Sequence, residues 1–425
     1  MKKSKGGNEP DVDMISNLPD PILHLILSCI STTVEVVRTS ILSRRWRYMW
    51  TSVPSIDLVY LECYLIEVNK KHFEEFACRV LQISSIDLDS FRLCCGDYFD
   101  MSTVGRWIDA AVRRNVKLLH LSFSVQNRSD NIELPHCLLT CGSLEELKLS
   151  LSANRLSFPK FTGFLALRVL ELEGCETYDF RDFSISCPNL KNLRIESLSF
   201  HMVYELCNRL EICCPKLVFL EIVGFMSKEI ILESLDSLKK VVIDPEETFE
   251  WSEKAVCDLF AGISHVESLS LHIGLLEEEF YFENVPKSLP NLKTLELTTT
   301  IYDTDNLDVL IQILTFSPNL ESFHLTIEQA FFFNDSPESP DFDILKMECT
   351  FEQLKIVEVK DLSSSPDDIR FIEFVLKSTP FLESINITPR VNMSNELFKY
   401  LVKSVELLNF RASTKPEIIF VQDHV

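Results

Sequence analysis

Over most of this chain the apolar positions recur in one motif: an anchor followed by apolar residues three and five places on, often with Pro-Asn or a similar turn just before it. Cys187-Pro188-Asn189-Leu190-Lys191-Asn192-Leu193-Arg194-Ile195 and Pro290-Asn291-Leu292-Lys293-Thr294-Leu295-Glu296-Leu297 carry it plainly, as do the runs from Pro215 to Ile222 and from Pro318 to Leu325. The anchors are Val116, Leu144, Leu167, Leu190, Leu217, Leu238, Val266, Leu292, Leu320, Leu354 and Leu382, with steps of 21 to 34 residues between them. Alternation with period two after each anchor predicts a short strand that turns its apolar residues inward and the residues between them outward.

A unit of this length repeated eleven times is the signature of leucine-rich stacking, in which no repeat buries its apolar face alone and neighbours complete a continuous core. Units of 26 to 28 residues leave room for a helix on the return path, and those of 21 to 23 only for turns, so the expected shape is a curved but imperfect horseshoe. The longest step, from Leu320 to Leu354, holds Phe331-Phe332-Phe333 and then an acidic run from Asn334 to Asp341. The phenylalanines are expected to pack on the solenoid and the acidic run to form a solvated bulge, with partner binding as the alternative for so long a loop.

Ahead of the repeats the period changes to a helical one. Asp20 before Pro21 reads as a helix start, the carboxylate capping free amides where the missing proline N–H costs nothing. Ile22, Leu23, Leu25, Ile26, Leu27 and Ile30 then make that helix apolar around most of its circumference. Thr32 with Glu35 forms a capping box for a second helix over 33–42, and Ser43 is placed to cap a third short helix with Trp46 and Trp50 one turn apart. Three helices in fewer than about 45 residues cannot cover so many large side chains, which implies a partner.

Composition excludes several classes. Hydrophobic content of 46% with 25% charged residues is globular, and no apolar run reaches the roughly 18 residues of a membrane helix. The net charge of −23 is unevenly placed: residues 1–55 carry +2 and the remaining 370 carry −25, a body that repels phosphate backbones and argues against nucleic-acid binding. The first ten residues lack the apolar core of a secretory signal, so the expected location is nucleus or cytoplasm, with the 14 cysteines as thiols. Those cysteines occur as Cys94-Cys95, Cys213-Cys214 and singletons without zinc spacing; they read as small hydrophobes, and no metal or other cofactor is expected. Lys2, Lys3 and Lys5 read as a solvated tail. Phosphate-binding glycine loops, zinc-protease and nucleophile-elbow motifs are all missing from the sequence, so no catalytic residue is assigned.

The strand register predicts a ligand face. Four residues past each anchor stand His120, Lys148, Glu171, Arg194, Glu221, Val242, Ser270, Glu296, His324, Glu358 and Asn386; two further on stand Ser122, Ser150, Glu173, Glu196, Val223, Asp244, His272, Thr298, Thr326, Lys360 and Thr388. Seven of these are acidic and three are Lys or Arg, a surface suited to a basic or mixed protein segment. Lys148, Glu171, Arg194, Glu221, Glu296, His324 and Glu358 are the candidate target-binding residues.

Leu18-Pro19-Asp20, Ile26-Leu27-Ser28 and Leu42-Ser43-Arg44-Arg45-Trp46-Arg47 align without gaps to the pattern of the plant F-box. The run Leu354 to Asp361, the helical spacing from Ile369 to Leu376 and the closing Phe410-Arg411-Ala412-Ser413 and Glu417-Ile418-Ile419-Phe420 resemble the FBD region that ends many plant F-box leucine-rich-repeat proteins. That resemblance implies an α/β chain: a flexible tail over 1–10, a three-helix F-box over 11–55, a leucine-rich-repeat solenoid over 56–345 and an FBD-like cap over 346–425. It implies a non-catalytic substrate-recognition subunit of an SCF-type ubiquitin ligase, docking on a Skp-type adaptor and through it on a cullin, with the repeats binding an unknown target protein. Leu18, Pro19, Ile22, Leu23, Ile26 and Leu27 would lie on or under the adaptor surface, and Val37, Leu42, Trp46 and Trp50 would lock the helices. The alternative is a ligase-independent scaffold or inhibitor that binds a basic protein.

Overall fold

The computed structural model describes residues 15, 17–60, 66–83, 86–96, 99–123, 132–157, 161–176, 182–196, 207–224, 227–244, 253–272, 288–299, 304–328, 349–391, 393–411 and 415–421. Its contacts divide the chain into two compact units, Met1–Ser157 and Phe158–Val425.

The first unit opens with helices α1 (Asp20–Ser28) and α2 (Thr33–Arg38), followed by 3-10 helices at Thr39–Ile41 and Trp46–Ser52. Strands β1 (Ser55–Val59), β2 (Ser90–Gly96), β3 (Leu118–Phe123) and β5 (Glu146–Ser157) then form a parallel sheet, with β4 (Ile132–Glu133) beside β5. Helices α3 (Ile66–Ile83), α4 (Met101–Val112) and α5 (His136–Leu139) make the return connections. The helical module is tied to the sheet by a part-buried hydrogen bond in which the Asp57 N–H donates to Thr33 Oγ1 at 2.7 Å. Two repeats precede the first predicted anchor: Val53 and Leu88 are buried, and β1 and β2 each begin two residues after them.

The second unit continues the pattern in parallel strands β7 (Val169–Glu176), β9 (Asn192–Glu196), β11 (Phe219–Val223), β13 (Lys240–Asp244), β14 (Ser268–His272), β15 (Thr294–Thr299), β16 (Ser322–Ile327), β17 (Ile356–Leu362), β18 (Ser384–Pro389) and β19 (Glu417–Phe420), adjacent in that order. All eleven predicted anchors are buried, and in each case the strand starts two residues later. The residues three and five past each anchor are buried as well, so each unit is a solenoid cross-section filled by leucine, isoleucine, valine and one phenylalanine.

The return paths differ from expectation. Where the spacing of 21 to 23 residues predicted only turns, β8 (Asp182–Ser186) and β12 (Ser227–Glu233) form, and the 27-residue unit carries β10 (Cys207–Cys213) in place of a helix. With β6 (Phe161–Thr162) these make a second parallel sheet in the order β12-β10-β8-β6. In β10 the buried Leu210 and Ile212 alternate with Arg209 and Glu211, and in β12 the run Ile230-Ile231-Leu232 is apolar and largely β-branched, both of which favour a strand over a helix. Helices return elsewhere, as α6 (Glu253–Gly262), α7 (Thr304–Thr315), α8 (Pro366–Ser378) and α9 (Asn395–Arg411).

The polar turn residues have a structural use that explains the Pro-Asn signature. The side-chain amides of Asn189, Asn291 and Asn319 donate to the carbonyls of Leu165, His265 and Pro290 in the preceding repeat, at 2.6, 3.3 and 2.7 Å. Each satisfies a turn carbonyl that no strand ladder reaches. Cys187 stands just before the Pro188-Asn189 turn and Cys214 just before Pro215-Lys216; both are fully buried, and burial pushes their thiols up to about 12 and about 11.

Candidate functional site

The N-terminal module is built around Leu23, Leu27, Val36, Trp46 and Val53, with Leu18, Ile30, Met49 and Trp50 packed against them. Helix α1 starts after Pro19, with Pro21 in its first turn. Asp20 does not cap amides as the Asp-Pro pair suggested. Its carboxylate is bound by Arg45 instead, and that guanidinium holds it below the usual carboxylate range. Thr32 Oγ1 does cap α2, accepting from the Glu35 N–H at 3.4 Å. The α-helix ends at Arg38 rather than at residue 42, and Thr39 turns its hydroxyl back onto the Val36 carbonyl at 2.7 Å where the chain tightens into a 3-10 turn. The tryptophan segment is likewise a 3-10 helix, Trp46–Ser52, entered through Arg45.

These details re-sort the residues assigned from sequence. Leu23 and Leu27 are fully buried in the module's own core and offer nothing to a partner directly. Leu18 is half-buried against that core, whereas Pro19, Ile22 and Ile26 are exposed. Of the expected locking residues, Trp46 is buried and Trp50 packs on the core. Val37 is only partly covered, its place being taken by Val36, and Leu42 is 61% exposed. The exposed apolar set therefore comprises Ile15 ahead of α1, Ile22, Leu25 and Ile26 of α1, and Ile41, Leu42 and Tyr48, from 38% exposed at Ile26 to 86% at Ile41. Ile15, Leu25, Ile41 and Tyr48 were missed from sequence. Once the core is filled without them, seven large apolar side chains remain turned to solvent on one small module, which monomeric surfaces rarely tolerate without a function.

The outward strand row exists in the register predicted for it. Asp57, Arg92, His120 and Lys148 are neighbours in the first unit. In the second unit Glu171, Arg194, Glu221, Val242, Ser270, Glu296, His324, Glu358 and Asn386 stand side by side. Asp57 and Arg92 extend the row beyond what the anchors indicated, and they pair at 3.4 Å.

The charges on this row are largely directed at one another. Arg194 reaches Glu196 at 2.8 Å and Glu221 at 3.4 Å; Glu358 holds His324 at 2.6 Å and Lys360 at 3.7 Å. Glu146, two residues ahead of Lys148, holds both His120 at 2.6 Å and Lys148 at 3.5 Å. His272 meets Glu328 at 3.1 Å. Each of the three outward histidines thus has a carboxylate partner. Asp244 has its carboxyl raised by desolvation, the His272 ring opposing that shift.

The Phe331–Phe333 loop, the acidic run after it and the Lys2, Lys3, Lys5 tail lie outside the described residues. Among the described residues no group of three or more His, Cys, Asp and Glu comes together as a metal site, and no described helix is long and apolar enough to cross a membrane.

Known proteins share these features. Residues 15–57 match the F-box domain, and residues 104–325, just over half the chain, match the model described as FBD-associated F-box protein At5g56370, LRR repeats. F-box/FBD/LRR-repeat protein At1g13570 of Arabidopsis thaliana is 26% identical over 439 residues, covering 98% of this chain and 100% of the relative. F-box/FBD/LRR-repeat protein At1g80470 of the same plant is 24% identical over 449 residues, covering 97% of this chain and 91% of the relative. F-box/LRR-repeat protein 13, also of Arabidopsis thaliana, is 32% identical over 205 residues, covering 46% and 43%.

Proposed function

We propose, for a chain that belongs to the family of FBD-associated F-box proteins with leucine-rich repeats, that it is the substrate-recognition subunit of an SCF-type ubiquitin ligase. The N-terminal module docks on a Skp-type adaptor and through it on a cullin, and the outward strand row receives the target protein. The observation that carries this reading is the uncovered set of Ile15, Ile22, Leu25, Ile26, Ile41, Leu42 and Tyr48 on a module whose core is already complete. A standard interface removes about 800 Å² from each partner, with a few buried anchors contributing most of the affinity, and side chains of this size supply such anchors.

The chain's own part is binding and presentation, and other subunits carry the ubiquitin. A thioester-forming cysteine needs a lowered pKa. Burial instead raises the thiols of Cys95, Cys187 and Cys214, the first two to about 12.

The test is reconstitution. The purified chain, mixed with a Skp-type adaptor and a cullin, is expected to co-elute with both and to need the adaptor for its association with the cullin. Elution of the chain apart from the adaptor would contradict the reading and favour the free-standing scaffold.

A further inference from the structure

Helix α9, Asn395–Arg411, is held to its unit by one side only. Leu401 and Val405 are fully buried, and Phe398 meets Phe420 of β19 edge-to-face at 5.9 Å between ring centroids. Its other side carries Leu397, Tyr400, Leu407 and Phe410, each between 49 and 75% exposed. At 3.6 residues per turn Tyr400 and Leu407 lie within about 20° of each other, with Leu397 and Phe410 about 60° to either side, so the four share one broad stripe. Nothing in the packing of the unit requires them, because the buried face alone anchors the helix.

The order of the stripe says what fits it. The steps from Leu397 to Tyr400, Tyr400 to Leu407 and Leu407 to Phe410 are 3, 7 and 3 residues, so the pattern reads alike from either end about a midpoint between Lys403 and Ser404. A twofold axis through that midpoint, perpendicular to two antiparallel copies of the helix, sets Tyr400 opposite Leu407 of the second copy and places Leu397 level with its Phe410 on the two flanks of the contact. That is the self-complementarity an isologous interface demands. The charges agree: Lys399 and Glu406 lie two turns apart along one margin of the stripe. The same axis keeps that margin on one side of the interface and brings each lysine within about 3 Å of axial rise of the other copy's glutamate. Lys415, whose ammonium stands 5.5 Å from the Phe410 ring centroid, covers that ring in part and leaves it mostly exposed.

We infer that the stripe on α9 is a dimerisation surface whose occupant is a second copy of this chain, paired antiparallel about the Lys403–Ser404 midpoint. A helix of 17 residues is about 25 Å long. One helix pair of that length buries less than the roughly 800 Å² per partner of a standard interface, so the dimer is weak, with a dissociation constant on the order of micromolar. The inference does not rest on adaptor binding and is tested without an adaptor.

The test is sedimentation of the full chain over a concentration series. Wild type is expected to pass from monomer to dimer, and Leu407→Glu to remain monomeric with an unchanged melting temperature. Lys399→Glu and Glu406→Lys each set like charges against one another twice in a homodimer and are expected to weaken self-association by about fivefold or more. An equal mixture of the two restores both opposite-charge pairs and is expected to dimerise as wild type does. A chain that is monomeric at every concentration, as it would be if the stripe receives a helix of another protein, overturns the inference. So does a dimer indifferent to Leu407→Glu, or a mixture that associates no more tightly than either variant alone.

Discussion

His324 and Glu358 stand opposite one another in register on neighbouring strands, imidazole Nδ1 2.6 Å from carboxylate oxygen. Arg194 and Glu221 repeat the arrangement at 3.4 Å, also in register. The Arg194–Glu221 pair thus offsets charge within the outward row itself, and surface charges of this kind act on encounter rates more than on affinity.

If targets dock on this row through basic groups, Glu171→Lys, Glu221→Lys and Glu296→Lys together should slow association and reduce its dependence on salt, with adaptor binding unchanged. Arg194→Ala should do the reverse, since it leaves Glu196 and Glu221 without their shared cation. Its effect on stability should stay under about 1 kcal/mol because the pair is partly exposed. Association rates with one identified target at two salt concentrations decide the matter; identical salt slopes for both variants and wild type would remove the row from target binding.

Within the module, burial predicts a large contrast. Trp46→Ala should cost about 3 to 5 kcal/mol, as for a large aromatic lost from a core. Leu42→Ala, at a position 61% exposed, should change stability by less than about 0.5 kcal/mol. Chemical denaturation of the two variants measures this. Equal losses would return Leu42 to the core.

Gly262 closes α6 against β12, and a Cβ there would stand 2.7 Å from the Cβ of Leu232. Gly262→Ala should cost about 1 to 3 kcal/mol through overpacking. Leu232→Gly, which removes that Cβ, should recover part of the loss in the double variant, a coupling that a double-mutant cycle reads directly. Additive effects would mean that the two elements do not press on each other.

Asp100 caps α4, its carboxylate accepting from the Thr103 N–H at 2.7 Å and from the Ser102 hydroxyl at 2.9 Å. The Thr103 amide bond, ahead of the hydroxyl, holds the carboxyl below its ordinary value. A depressed folded-state pKa contributes stability above the unfolded-state value, near about 3.9, and loses it as the pH falls through the folded-state value. Asp100→Ala should therefore cost about 1 kcal/mol at neutral pH, and the gap from wild type should shrink below about pH 4. Urea titrations across that range test it; a gap that widens in acid would be the wrong sign.

Much of this was legible because a stacked core repeats its demands. Leu190, Leu292 and the other anchors face the same environment in every unit, so period-two alternation located eleven strand starts and put Glu171, Arg194 and Glu221 in one row. Val53 and Leu88 carry the same signature, with Ile56 and Phe91 three places on and Leu58 and Leu93 five, so the same rule extended two units upstream would have found β1 and β2. The second sheet was hidden because repeat length limits a return path without choosing its conformation. Val36 and Val37 show a finer limit: neighbouring β-branched residues satisfy the same helical stripe to within about 100°, and only packing against Trp46 and Leu27 decides which is inside. Ile15, Leu25, Ile41 and Tyr48 escaped because an apolar residue reads alike whether its own core or a partner covers it.

Titrating a purified Skp-type adaptor into the full chain tests the role of the module's uncovered apolar side chains most directly. Saturable binding with a dissociation constant of about micromolar or tighter is predicted for wild type. The Ile22→Ala/Leu25→Ala variant should bind at least about tenfold more weakly, near 1.4 kcal/mol, with its melting temperature unchanged because neither side chain is in the core. No binding by wild type, or equal affinity in the two proteins, would contradict that role.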